Sequence, residues 1–295
     1  MEGTNTVRQV SRVITAHKQR EGGGFVVRRP FPSYGLSYVD PFLLIDEMGP
    51  VDYAPGEAVG APDHPHRGFE TVTYVLAGEM EHEDSAGHRG ALGPGDVQWM
   101  TAGGGIIHSE EPSRALRERG GRVHGFQIWV NLPARLKLSQ PRYQDVPSER
   151  IPTAQTPDGL ARGKIVAGEA LGVRAVIETH TPIVFQDWTL EPAADVTIEI
   201  GAEQQVLAYV FDGAIEIEGR EIRDGQMAIL GEGDAVRLRG SAQQGRLLLL
   251  AGVPHREPVA RYGPFVMTTE RELIEAFHDF QSGRMGEITR TARVG

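Results

Sequence analysis

The 295-residue chain contains no cysteine, which removes disulfide staples, thiolate zinc sites and cysteine nucleophiles from consideration. Positive charge is scarce as well. Lys plus Arg number 30 against 40 Asp plus Glu, for a net charge of −10, and the lysines are confined to Lys18, Lys137 and Lys164. An anionic surplus argues against a nucleic-acid backbone or an anionic membrane surface as the direct partner, so any role near DNA would run through another protein. Long hydrophobic runs are missing: Leu247 to Val253 is the longest obvious one, far short of the roughly 20 residues of a bilayer-spanning helix. The start, Met1-Glu2-Gly3-Thr4, shows neither the basic nor the apolar region of a secretory signal. These absences predict a soluble, cytoplasmic chain.

Sustained helical periodicity is also lacking before the C-terminus. Short stretches rich in Val, Ile, Leu and Tyr alternate with Gly, Pro and Asp, the pattern of an all-β sandwich or barrel. An internal repeat is visible. Thr73-Tyr74-Val75-Leu76-Ala77-Gly78 resembles Ala208-Tyr209-Val210-Phe211-Asp212-Gly213, and Leu92-Gly93-Pro94-Gly95-Asp96 resembles Leu230-Gly231-Glu232-Gly233-Asp234 at nearly the same offset, so two copies of one β-unit are expected. The stretch 140–163, with Pro141, Pro147, Pro152 and Pro157, reads as a linker, since proline disfavours ladders and helices alike. The expected domains are therefore 1–139 and 164–295. One helix is predicted: Thr269-x-x-Glu272 is a capping box, Leu273, Ile274, Phe277 and Phe280 form its apolar face, and Gly283 ends it.

Two short segments carry chemistry. His64-Pro65-His66 and His108-Ser109-Glu110 each place two metal-competent side chains at a spacing of two, and in a strand such residues share one face. Three imidazoles and one carboxylate, without a thiolate, suit a first-row ion such as Fe2+, with room left for water, oxygen or substrate. Glu70, four residues after His66 and on the same face in unbroken alternation, is a competing carboxylate that would bind the ion or orient a ligand histidine. His82, Glu83, Asp84 and His88 read as solvated residues of a hairpin tip, His124 and Gln127 as cavity-lining or structural, and Gly103-Gly104-Gly105 as a turn delivering His108. In the second copy the repeat places Glu199 and Gly201 at the positions of His64 and His66, and Arg246 and Leu248 at those of His108 and Glu110, so no equivalent site is expected there. Phe69, Trp99 and Met100 are candidate apolar walls, with core packing as their default.

The runs Asp40-Pro41-Phe42-Leu43-Leu44-Ile45-Asp46-Glu47, Asp63-His64-Pro65-His66-Arg67-Gly68-Phe69-Glu70, Gly95-Asp96-Val97-Gln98-Trp99-Met100 and Trp129-Val130-Asn131-Leu132-Pro133 resemble the pirin family, and the likeness continues to Gly263-Pro264-Phe265-Val266-Met267. The resemblance implies a bicupin: a metal-binding cupin barrel, then a metal-free one with the C-terminal helix. It implies iron held by His64, His66, His108 and Glu110, and it moves Glu70 out of the ligand set. It further implies a quercetin 2,3-dioxygenase-like activity on a flavonol and O2 with release of carbon monoxide. For that chemistry Glu110 is the candidate proton acceptor, as a carboxylate that can loosen from the metal within reach of the bound hydroxyl, with Glu70 in reserve. The alternative it implies is a non-catalytic, iron- or redox-sensing regulator that binds a transcription factor or metabolic enzyme.

Overall fold

The computed structural model describes residues 6–289, so the start read above as Met1-Glu2-Gly3-Thr4 lies outside the described residues. The chain is mostly strand, and its contacts divide it into two units. One comprises residues up to His17, Pro30–Pro41 and Glu149–Pro254; the other comprises Lys18–Arg29, Phe42–Ser148 and the chain from His255 onward. No described helix is long and apolar enough to cross a membrane.

These units differ from the ranges the sequence suggests. Within the expected linker, Arg142–Val146 is a strand paired with Val97–Thr101, and Thr153–Gln155 is a strand paired with Ala161–Ala167. Both lie at sheet edges. The four prolines bracket these strands instead of interrupting them, as expected of a residue that cannot donate to a ladder. At the ends of the chain the division is crossed again: Val10–Thr15 pairs with Gln226–Leu230, and the residues beyond His255 join the histidine-bearing unit.

Each unit has a seven-stranded and a four-stranded sheet. The histidine-bearing unit orders its larger sheet Arg142–Val146, Val97–Thr101, Phe69–Ala77, Gly121–Asn131, Phe42–Tyr53, Phe25–Phe31, His17–Glu21, and its smaller one Ala61–His66, Ile106–Pro112, Met80–Asp84, Arg89–Leu92. The other unit repeats the plan with Val10–Thr15, Gln226–Leu230, Gln205–Asp212, Gly245–Gly252, Ile183–Leu190, Ala161–Ala167, Thr153–Gln155, and with Asp195–Glu199, Ala235–Gly240, Ala214–Ile217, Arg220–Arg223. Thr73–Gly78 and Ala208–Gly213 thus lie in and just after equivalent third strands.

The second anchor of the repeat is displaced. Leu92–Asp96 leads into a strand of the larger sheet, whereas Leu230–Asp234 leads into Ala235–Gly240 of the smaller one. The shared Gly-x-Gly-Asp pattern is turn chemistry that recurs one strand later. Glu199, Gly201, Arg246 and Leu248 are therefore not the counterparts of the paired ligands; Arg246 instead ion-pairs with Asp187 at 2.6 Å. By register, the pairs His66–Ile106 and His64–His108 correspond to Ile198–Val236 and Val196–Leu238. Asp195–Glu199 alternates exposed and buried, and its inward Val196 and Ile198 join Val236, Leu238, Trp188 and Leu247 in one core drawn from both sheets. Burying such aliphatic side chains stabilises by about 1.5–3 kcal/mol each, a contribution the other unit forgoes at its histidines.

The capping box forms as expected: the Thr269 side chain accepts from the Glu272 backbone N–H, and the helix runs Glu270–Gln281. Its inner face differs at two of the four expected positions, Ile274 and Phe280 both being exposed. Leu273 and Ala276 are buried and Phe277 packs on Phe265 at 4.8 Å, whereas Ile274 points outward, 69% exposed. Just before the helix, Ala260–Tyr262 and Phe265–Met267 form a hairpin turning through Gly263 and Pro264.

Lys137 ties this hairpin to the sheet. Its buried Nζ donates to the carbonyls of Gly68 and Val266 at 2.8 and 2.9 Å and to Asn131 Oδ1 at 2.8 Å. Burial lowers its pKa to about 8. Lys137→Met orphans three acceptors and is expected to destabilise the protein by about 3 kcal/mol near neutral pH. Because the folded pKa lies below the unfolded value, the unfolded chain holds an extra proton between pH of about 8 and about 10.4, and stability rises with pH across that window. Chemical denaturation at pH 7.5 and 10 checks this. The gap between wild type and Lys137→Met should widen at the higher pH, and an unchanged gap would contradict a depressed lysine.

Candidate metal centre

Antiparallel pairing of Ala61–His66 with Ile106–Pro112 sets His108 opposite His64, and strand alternation brings His66 onto the same face. The ring centroids lie 4.7 Å apart for His64 and His66, 4.3 Å for His64 and His108, and 5.0 Å for His66 and His108. One ligand nitrogen from each falls within 4.8 Å of the others, the one such group among the described residues. The strand carrying His108 enters from a turn at Gly103–Gly105. Gly103 has φ +49° there, and a Cβ would meet the Ser139 carbonyl oxygen at 2.1 Å.

The electrostatics suit a cation. His66 and His108 are buried, and burial, reinforced by neighbouring His64, holds both pKa values well below the usual histidine value. They are neutral near pH 7 and keep a lone pair for a ligand bond. His64 Nδ1 donates to the Pro62 carbonyl at 2.7 Å and His66 Nδ1 to that of Pro264 at 3.4 Å. A carbonyl only accepts, so each contact places the proton on Nδ1 and frees Nε2. His108 is fully buried and neither of its ring nitrogens has a hydrogen-bond partner. A buried orphan of this kind costs about 1–3 kcal/mol, and a cation shared by three imidazoles would satisfy one of the two nitrogens.

A cavity of about 470 Å³ opens beside the histidines, within the range of small-molecule sites. Glu110 lines it, beyond a register shift that separates its pairing from that of His108. Its carboxylate stands outside the 4.8 Å group. Thr73 Oγ1 lies 2.8 Å from Glu110 Oε1 and 2.7 Å from Gln127 Oε1. One hydroxyl proton cannot serve both oxygens; with the Gln127 amide turned over, Thr73 donates to Glu110 and accepts from Gln127.

Several expected positions change. Gly68, at φ +88°, breaks the alternation after His66. Phe69, Thr73 and Val75 therefore turn toward the site, with Phe69 5.1 Å from the His66 ring, while Glu70 faces the opposite side. There Glu70 is buried, accepts from Thr101 Oγ1 at 2.7 Å, and has its pKa raised by burial. It is not among the residues that line the cavity. Trp99 and Met100 are core residues outside the lining; the apolar walls are Phe25, Leu44, Met48, Val75, Met80 and Trp129. His82 and Asp84 are not solvated. They sit in the strand Met80–Asp84 opposite Glu110 and His108, both buried, and the hairpin tip begins only at Ser85. Their spacing of two was the signal for this. His124 does line the cavity, bonded to Glu47 at 2.9 Å. Sequence reasoning missed Trp129 as a wall, and missed Arg261 and Pro264, which the C-terminal hairpin brings to the site.

The chain is similar to known proteins along most of its length. The pirin family model matches residues 24–130, and the model of the pirin C-terminal cupin domain matches residues 185–286. Human pirin is 40% identical over 285 residues, covering 95% of this chain and 94% of the human protein. A pirin-like protein of tomato, Solanum lycopersicum, is 38% identical over 283 residues, covering 95% and 93% of the two chains. The crystal structure of a quercetin 2,3-dioxygenase from Acinetobacter baumannii superposes with a TM-score of 0.90 at 34% identity, covering 96% of this chain and all of that one. The two β-units are the paired cupin domains implied by the sequence resemblance, and the chain belongs to the pirin family.

Proposed function

We propose that His64, His66 and His108, with Glu110 as fourth ligand, hold one first-row divalent cation, Fe2+ before others, and that the protein is a cytoplasmic dioxygenase opening the flavonol ring of quercetin-type substrates with O2 and releasing carbon monoxide. The observation that carries this reading is His108, fully buried with both ring nitrogens unpartnered and facing two further imidazoles. Neutral nitrogen donors with a carboxylate and no thiolate suit iron and its first-row neighbours. The likeness to a protein named as a quercetin 2,3-dioxygenase supports the flavonol.

When bound, such a cation supplies Lewis acidity that favours the ionised flavonol 3-oxygen. The chain's own residues do the rest. Glu110, oriented through Oε1 by Thr73, accepts the proton of the 3-hydroxyl. Leu44, Met48, Val75 and Met80 cover the rings and keep water away. Elemental analysis with oxygen uptake and carbon monoxide release on quercetin tests the proposal. About one cation per chain, with carbon monoxide formed as quercetin disappears, is the expected result. A fully loaded protein that consumes no oxygen would remove the dioxygenase and leave the redox-sensing regulator; a chain that takes up no cation would remove both.

A further inference from the structure

The cavity has a second polar feature that the proposed chemistry does not use. Arg261, on the C-terminal hairpin, lies in the cavity wall with its guanidinium carbon 4.8 Å from the centre of the Trp129 ring. The same ring meets His66 at 5.1 Å, so the metal side and the arginine side share one aromatic wall. Arg261 has a single hydrogen bond among the described residues, from Nη1 to the Leu43 carbonyl at 3.0 Å. Its remaining donors are unused.

Arg29, which also lines the cavity, differs. Its Nε and Nη2 engage both oxygens of Asp46, and Nη2 also pairs with Glu21 at 2.8 Å. Two carboxylates already bond Arg29, while Arg261 is a half-buried second cation that feels the charge of the same Asp46 and Glu21 but forms no hydrogen bond or ion pair with either. A desolvated guanidinium is costly to hold unless an anion meets it, and its planar donor fork matches a carboxylate.

We infer that Arg261, braced on Trp129, is an anion-anchoring subsite, and that the ligand is a planar aromatic with a hydroxyl at its metal end and a carboxylate or similar fixed anion elsewhere on its ring system. This rests on the cavity being the substrate site, but not on the dioxygenase step, and it narrows the preferred substrate to flavonol-like rings that carry such an anion, with quercetin itself as the uncharged member of the class.

The test is a fluorescence titration with two probes that differ only in charge, 6-hydroxy-2-naphthoate and 6-hydroxy-2-naphthamide, on wild type in metal-free and metal-loaded forms. The naphthoate should bind about tenfold tighter or more, with the preference shrinking as salt is raised. Arg261→Gln should level the two affinities at unchanged metal content, and Arg261→Lys should retain part of the difference. Equal affinities in wild type, binding of neither probe, or a preference that survives Arg261→Gln would each overturn the assignment. Because the wild-type comparison stands alone, a variant that fails to fold leaves the test intact. Failure of the functional reading is separately visible: a chain that binds no metal yet prefers the naphthoate sinks only the metal proposal, and a metal-loaded, active chain without the preference sinks only the subsite.

Discussion

Glu110→Gln is expected to lower quercetin turnover by about 10²–10⁴-fold at matched metal content, the usual cost of losing a general base. Glutamine keeps an oxygen donor of similar shape, and it can still accept from Thr73, whose hydroxyl now lies 2.8 Å from Glu110 Oε1. What the substitution removes is the capacity to take a proton. The measurement is carbon monoxide release per bound cation, compared between wild type and variant after elemental analysis of both. Metal content should fall much less than rate. Equal rates would remove Glu110 as the base, and parallel loss of rate and metal would make it a ligand alone.

His108→Ala is expected to abolish tight metal binding. Groups that merely support a ligand are worth about 10–100-fold in affinity, so removing a direct ligand should cost at least about 100-fold. The control is His124→Ala, which empties a position in the same cavity but breaks a bond to Glu47 instead of a ligand contact. Isothermal titration with Fe2+ under anaerobic conditions should separate the two variants clearly. If His108→Ala binds as wild type does, the three-imidazole centre is wrong; if His124→Ala loses the metal equally, the loss reports damage to the cavity and not a missing ligand.

The features legible from residue order are those whose physics is local. Two histidines at a spacing of two share a strand face whatever else the chain does, so His64 and His66 could be paired on sight, and register with His108 follows from one antiparallel ladder. The capping box at Thr269 and Glu272 is similarly self-contained, closing within one turn of helix. Turn chemistry was less informative because it recurs. The Gly-x-Gly-Asp of Leu230–Asp234 matched that of Leu92–Asp96 while leading into a different sheet. A single glycine was enough to defeat alternation: Gly68, with φ +88°, turns Glu70 away from the face it would share with His66 in an unbroken strand.

By itself, the sequence determined the all-β class, the twofold repeat, the shared face of His64 and His66 and the terminal helix, since each depends on periodicity over a few residues or on a match between two segments. Only the tertiary structure decided which residues share an interior. It returned the segment beyond His255 to the histidine-bearing unit, where Pro264 bonds His66 and Arg261 stacks on Trp129, and it buried His82 and Asp84 opposite Glu110 and His108. Those contacts join positions more than a hundred residues apart in the case of the hairpin. They are selected by the burial of apolar surface and the pairing of buried polar groups, neither of which has a short-range signature along the chain.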